Sequence, residues 1–343
     1  MQEPSSTSNF KYLLQGAFVV AVSLLLFVLA GDAYEKAAKR NQINAFTKQR
    51  FEEYYALEKN TVDLLFIGSS HSYCTFDPQL IDPVLGTYSW QLGTPSQHAD
   101  TSYYVLQNAL ETQSPHTVVM ELYWDVLDDD FERSQADSFF EVCNNDALVN
   151  DYIQTVFPAN ERLKYELPAI RYQQSYFSYR SSRMKRSIEE TYHVSPPETA
   201  AANGVEYYQA QGYVYCDIIL PQDEYDRTNQ FKGFDGKDWQ MSDVQREYLD
   251  KIVSLCEEKG IRLIFVTAPI APVSMDFIEN YDLVHQALSD YAASKDVPYL
   301  DYNQINLDTP FLTNENFRDD AHLNHSGVTK VDAHFSTFLQ SQN

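Results

Sequence analysis

The chain reads as an α/β fold with a mostly parallel sheet, preceded by one membrane-spanning helix and interrupted by a helical insertion. Three observations carry this. Short apolar strand patterns alternate with helical patterns near both ends of the region after residue 61, which implies a sheet covered on both faces. The alternation lapses between about 126 and 240. Finally, Tyr12 to Gly31 is a run of twenty residues without a charge.

As a helix that run is about 30 Å long, enough to cross a hydrocarbon core. A cleavable signal with Gly31-Asp32-Ala33 as its small-residue site is the alternative. The run is long for a signal segment, so an uncleaved anchor over 10–31 is expected, after a tail over 1–9. Orientation signals conflict. Lys11, offset by Glu3, precedes the span and Lys36, Lys39 and Arg40 follow it, which by charge bias favours a cytoplasmic domain. Long domains translocate regardless of such flanks. Residues 32–60 are charged and amphipathic and predict a stalk helix leading to a domain over 61–343.

Within that domain, Thr61 to Ile67 reads as a buried strand closed by Gly68-Ser69-Ser70. Tyr88 to Leu92 is a second strand ending at Gly93-Thr94. Pro95 opens a helix to about Thr112, with Ser96 and Gln97 in its first turn. Thr117 to Leu122 is a third strand. The stretch from Trp124 to Trp239 is tyrosine-rich (Tyr152, Tyr165, Tyr172, Tyr176, Tyr179, Tyr207, Tyr208, Tyr213, Tyr215) and predicts a mostly helical cap. Its tyrosines suit ordinary packing, or stacking on sugar rings. Arg180, Arg183, Lys185 and Arg186 form a basic cluster, either a solvated helix face or a contact for lipid headgroups. Alternation then resumes: a helix over Ser242–Lys259 stopped by Gly260, a strand over Ile261–Thr267, a helix over Asp276–Lys295, a strand over Val297–Asp301 and a last helix over Val328–Gln340.

Composition narrows the function. The formal net charge is −24, from 49 acids against 25 bases, and 44% of residues are hydrophobic. Such a chain folds, and its charge disfavours nucleic acid as a partner. It also favours a neutral or zwitterionic polymer over a bare polyanion. Cys74, Cys143, Cys216 and Cys256 have no metal-ligand spacing. Cys256 falls on an apolar helix face; a Cys143–Cys216 bridge is open to an exported domain.

Two segments carry chemistry. Gly68-Ser69-Ser70-His71-Ser72 follows a strand, and Asp319-Asp320-Ala321-His322-Leu323-Asn324 precedes the last helix. A serine nucleophile needs a base, and the base an orienting carboxylate. Geometry alone leaves Ser69, Ser70 and Ser72 open, and an isolated Gly-Ser-Ser serves equally as a helix cap. His322 and His325 with the two aspartates also invite a metal reading, but the three-residue spacing is unlike the usual i, i+4 pair, so neither metal nor cofactor is expected. His285 and His334 fit surface or packing positions.

These blocks resemble the Gly-Asp-Ser-x-Ser and final Asp-x-x-His blocks of the SGNH/GDSL hydrolases. Gly-Ser-Ser, Leu92-Gly93-Thr94-Pro95-Ser96-Gln97 and His322-Leu323-Asn324 look closer to a membrane-anchored branch, the DltD-like proteins that work beside membrane-bound O-acyltransferases. The resemblance spans roughly Val62–Asp125 and Ser242–Gln340. It implies a flavodoxin-like three-layer domain, with Ser70 as nucleophile, His322 as base and Asp319 as its orienting carboxylate; Asp320 could exchange roles with Asp319. It also implies oxyanion donors at the backbone amides of Ser70 and Gly93. The family's third donor, an Asn in Gly-x-Asn-Asp, is missing, since the third strand ends in Glu121-Leu122-Tyr123. Gln97 is the substitute expected here. Ser69 stands where the family has Asp. The implied activity is a serine esterase or O-acyltransferase in the cell envelope, its domain outside the cytoplasm. Its partners would be an acylated glycan or polyol polymer and a membrane-bound O-acyltransferase. A non-catalytic scaffold for such an acyltransferase is the rival, and a tyrosine-lined glycan-binding module a weaker one.

Overall fold

The computed structural model describes residues 6–40, 45–173, 176–177 and 204–342. They form two compact units.

One unit joins the N-terminal helix α1 (Ser6–Arg40) to a helical stretch from residue 150 onward. The candidate span runs from Phe10 to Ala38 and is long and apolar enough to cross a membrane. Its large apolar side chains from Phe10 to Leu29 are exposed, whereas Ala37 and Ala38 are buried. Tyr152, Tyr165 and Tyr172 are buried packing residues in this unit. Tyr179 and the basic cluster Arg180, Arg183, Lys185 and Arg186 lie outside the described residues.

The second unit is the α/β domain. Five strands form one parallel sheet: β1 (Leu64–Ile67), β2 (Ser89–Gln91), β3 (Thr117–Glu121), β6 (Arg262–Thr267) and β7 (Tyr299–Asp301). Its order is β2-β1-β3-β6-β7. Counting sheet strands alone, that is the 2-1-3-4-5 order of doubly wound flavodoxin-like folds, in which ligands sit beyond the carboxyl ends of strands beside the crossover point. The expected fold class is therefore the observed one.

The strands are apolar on both faces because both are covered. Leu64, Phe66, Val119, Ile264 and Val266 share a core with Ile81 of α4 (Pro78–Leu85) and Val331 and Phe335 of the last helix, α14 (His325–Ser341). Helices α5 (Ala99–Ala109) and α10 (Asp243–Lys259) pack on each other, and Phe265 meets Tyr291 of α12 (Tyr281–Ser294). Helix α10 starts and stops as its sequence demands: Ser242 caps the Val244 and Gln245 amides, and Gly260 takes the left-handed conformation.

One expectation is corrected, and two readings left broad or open are sharpened. The stalk over 32–60 is not one element. Its first part continues α1, while α2 (Ala45–Ala56) belongs to the α/β domain and buries Phe46, Arg50, Phe51 and Tyr54. The tyrosine-rich region, read as mostly helical, also holds a pair of strands. Tyr207, Tyr208, Tyr213 and Tyr215 lie on an antiparallel hairpin, β4 (Glu206–Ala210) and β5 (Tyr213–Cys216). The hairpin's turn docks on the edge strand β2, with the Gln91 amide donating to the Gln211 carbonyl at 2.9 Å. A Cβ at Gly212 would collide with the Gln91 carbonyl, so only glycine permits this approach. The Cys143–Cys216 bridge, left open by the sequence, is not formed here: all four cysteines are free and buried.

Candidate active site

The turn carrying Ser69, Ser70 and Ser72 is built by the end of β1. Gly68 has φ of +137°, and a Cβ there would stand 2.7 Å from the Cβ of Glu121. The chain then enters a one-turn helix, α3 (Ser70–Tyr73), with Ser69 as its cap. The Ser69 hydroxyl accepts from the His71 amide at 3.1 Å and donates to Glu121 Oε2 at 2.7 Å. Ser72 Oγ donates to Gln91 Oε1 at 2.9 Å. Both side chains are thus occupied and fully buried. Ser70 is only partly buried, and its Oγ lies 2.8 Å from His322 Nε2. Among the three serines left open by the sequence, geometry singles out Ser70.

The loop carrying His322 is closed by an antiparallel bridge between Phe317 and Leu323. Asn324 fastens it: its side-chain oxygen accepts from the Ser326 amide to start α14, and its amide donates to the Glu315 carbonyl at 2.8 Å. Asp319 accepts from the Ala321 and His322 amides at 2.9 and 2.7 Å and meets His322 Nδ1 at 2.9 and 3.0 Å. A carboxylate can only accept, so Nδ1 carries the proton and Nε2 is left to accept from Ser70. Burial alone would raise the Asp319 carboxyl, but His322, the Arg318 guanidinium and the N–H bonds outweigh it and hold it below the usual range. Asp320 points elsewhere, accepting from the Gln230 amide at 2.7 Å. His325, the other histidine of the motif, bonds the Tyr213 hydroxyl at 3.0 Å.

Gly93 lies against this turn. A Cβ there would stand 2.8 Å from the Ser69 carbonyl and 3.1 Å from Ser72 Cβ. Among the described residues, neither the Ser70 nor the Gly93 amide N–H finds an acceptor. Arg50 of α2 is buried and donates to the Gly93 carbonyl at 2.7 Å and the Gly212 carbonyl at 2.8 Å. It positions the Gly93 loop from behind.

Gln97 is the site residue that the structure corrects. Ser96 takes a positive φ of 49°, so α5 starts only at Ala99 and Gln97 remains in the loop. There its carbonyl accepts from Thr94 Oγ1 at 2.8 Å and its amide donates to Ser102 Oγ at 2.9 Å. It is a buried loop brace.

Three side chains join the site without having been expected. Glu121, at the end of β3, is fully buried and receives both the Ser69 hydroxyl and the Ser69 amide on one oxygen. Burial pushes its carboxyl up to about 7 despite those bonds. His71 stacks on Tyr123, at 4.0 Å between ring centres, and lies tilted against His322, at 4.6 Å. Burial, and then the neighbouring His322, keep its imidazole well below the ordinary histidine range. Arg318 contacts Asp319 at 3.4 Å and pairs with Glu206 of β4.

A protein-family model matches residues 236–342, the stretch that holds Asp319 and His322. No curated protein matches the chain. Similar solved structures include a candidate acylhydrolase from Bacteroides fragilis, at 10% identity and a TM-score of 0.40, covering 88% of this chain and 98% of that one. A GDSL-like lipase from Bacteroides thetaiotaomicron has 10% identity and a TM-score of 0.39, covering 88% of this chain and all of its own. The functional reading rests on the geometry of the site.

Proposed function

We propose that the chain is a membrane-anchored serine esterase or O-acyltransferase of the SGNH type. In this reading it acts on acyl esters of a cell-envelope polysaccharide or teichoic-acid-like polymer, outside the cytoplasm. The observation that carries it is the relay Asp319–His322–Ser70, at 2.9 and 2.8 Å, beside two unengaged amides. A serine hydroxyl aligned on an imidazole whose far nitrogen is held by a carboxylate is a nucleophile with its base in place.

The reaction runs in two steps. Ser70 Oγ attacks the ester carbonyl as its proton passes to His322 Nε2, and the carbonyl electrons move onto oxygen, where the Ser70 and Gly93 amides stabilise them. Collapse breaks the bond to the leaving alcohol, which takes the proton from His322. The acyl group is now on Ser70. An acceptor hydroxyl, from polymer or water, gives its proton to His322 and attacks the acyl carbon; Ser70 departs and recovers the proton. Hydrolysis and transfer differ only in the acceptor.

One observation favours the scaffold reading. With Gln97 engaged in its loop, the Ser70 and Gly93 amides are the two candidate oxyanion donors left, and losing one such donor costs about 10²- to 10³-fold in rate. Fluorophosphonate labelling and acetyl-ester hydrolysis of wild type, Ser70→Ala and His322→Ala separate the two. Labelling and turnover that vanish in Ser70→Ala are expected of the enzyme. A folded wild type that neither labels nor turns over would leave the scaffold beside a membrane-bound O-acyltransferase.

A further inference from the structure

The unit containing α1 holds an apolar surface that neither the fold nor the chemistry uses. We propose that the helical pair α8 (Arg162–Tyr165) and α9 (Pro168–Arg171) lies on the bilayer surface where α1 emerges, with Leu163 and Leu167 dipping into the lipid interface. The proposal rests on the reading of α1 as an anchor.

The end of the span is marked by packing. From Phe10 to Leu29 the large side chains of α1 are bare, with Leu13 and Phe18 both 69% exposed. That stretch is about 30 Å of helix, one hydrocarbon thickness. At the next turn the environment changes. A Cβ on Gly31 would stand 2.9 Å from the Ala169 nitrogen and 3.2 Å from Pro168, so glycine lets α9 approach the α1 backbone. Tyr34 stacks on Tyr176 at 4.4 Å, and Ala38 is buried. Gly31, Tyr34 and Ala38 share one helical face. Bare apolar helix and protein-covered helix therefore meet at Gly31, and α9 is fixed at that level.

Next to it, Leu163 is 73% exposed and Leu167 41% exposed. Single exposed leucines are ordinary on a soluble surface. These two are four residues apart in the unit that carries the bare span, and Leu167 directly precedes Pro168, which lies against Gly31. Lys164 between them is exposed and supplies a cation for an anionic headgroup. Tyr34 and Tyr176 sit at the same level, where amphipathic rings favour the membrane–water boundary. The stretch presents Leu163, Lys164 and Leu167 together, and its exposed acid, Glu166, is engaged by Gln154. The same contact makes α1 part of a folded unit beyond the Gly31-Asp32-Ala33 segment.

The test uses the full chain reconstituted in phosphatidylethanolamine–phosphatidylglycerol vesicles containing brominated acyl chains, with tryptophan introduced as Leu163→Trp, Leu167→Trp, Val19→Trp and Glu258→Trp. Quenching of the added tryptophan is read over the wild-type background. Quenching at 163 and 167 well above that at 258, and approaching that at 19, is expected. Quenching at 19 with 163 and 167 indistinguishable from 258 would overturn the inference and leave the anchor standing. No quenching at 19 would overturn the anchor, and the inference with it.

Discussion

Ser69 and Glu121, fifty-two residues apart in the chain, form a single joint: the hydroxyl and the amide of Ser69 both donate to Glu121 Oε2, at 2.7 and 2.9 Å. The joint ties the Ser69–Ser70 turn to the end of the neighbouring strand. It also leaves the other carboxylate oxygen of Glu121 buried with no partner. With its carboxyl raised to about 7, Glu121 is easier to ionise in the unfolded chain than in the folded one. The sign follows. Below the ordinary glutamate range both states hold the proton and nothing is lost. As pH rises toward about 7 the unfolded state releases its proton first, and stability falls. The full shift is worth roughly 3 kcal/mol at 1.36 kcal/mol per unit. Glu121→Gln keeps an acceptor for Ser69 and cannot ionise. Urea unfolding from pH 4.5 to 8 should show the variant gaining on wild type as pH rises; parallel curves would refute the assignment.

Arg50 connects three segments that are remote in sequence. It spans the Gly93 and Gly212 carbonyls and lies over the Tyr73 ring at 4.2 Å. Truncation to alanine leaves two buried carbonyls without a donor, each costing about 1–3 kcal/mol. Arg50→Ala should lower the melting temperature and also depress kcat, since the Gly93 amide loses its backing. Arg50→Lys, which cannot reproduce the guanidinium's fixed fork, should recover part of the stability and less of the rate. Thermal unfolding and ester turnover on the same samples check both.

The difference between what was legible in the sequence and what was not has a local cause in each case. The sheet strands were legible because strands covered on both faces are short apolar runs, and Gly68, Gly93 and Gly260 punctuate them. The two blocks were legible because each is a compact segment, but the choice of Ser70, Asp319 and His322 within them came from the resemblance to the SGNH/GDSL hydrolases. The hairpin was missed although Glu206–Ala210 and Tyr213–Cys216 are rich in aromatic and β-branched residues around a two-residue turn. That turn is Gln211-Gly212, with φ of +50° and +86°, and glutamine is a weak signal for a left-handed position. The charges of α2 suggested a solvated stalk, while Phe46, Arg50, Phe51 and Tyr54 face inward. Glu121 had no motif at all: a lone carboxylate at a strand end acquires meaning only once Ser69 is beside it.

Asp319 fixes the tautomer of His322 as well as its direction. In Asp319→Asn the amide can present its N–H to Nδ1, which favours the proton on Nε2 and removes the acceptor that Ser70 needs. The substitution should therefore cut kcat/KM for an acetyl ester by about 10²- to 10⁴-fold while leaving the fold intact. Asp320→Asn should leave the rate near wild type, because Asp320 holds Gln230 and not the imidazole. Equal losses in the two variants would reverse the assignment of the carboxylate.

Gly93→Ala separates the oxyanion donor from the nucleophile. The added methyl would meet the Ser69 carbonyl at 2.8 Å and the Gly68 carbonyl at 3.0 Å. Both are backbone atoms of the Gly68–Ser70 turn and cannot rotate aside, so the Gly93 loop must retreat and carry its amide with it. Ser70 and His322 stay in place, because neither depends on the Gly93 loop for a hydrogen bond. The variant should still bind substrate but lose about 10²- to 10³-fold in kcat, the effect of one missing donor. Fluorophosphonate labelling should slow in parallel, since that reaction also develops charge on an oxygen facing Gly93. Steady-state kinetics with KM resolved from kcat decide it. A loss confined to KM would place Gly93 in substrate binding, and an unchanged kcat would remove its amide from the oxyanion site.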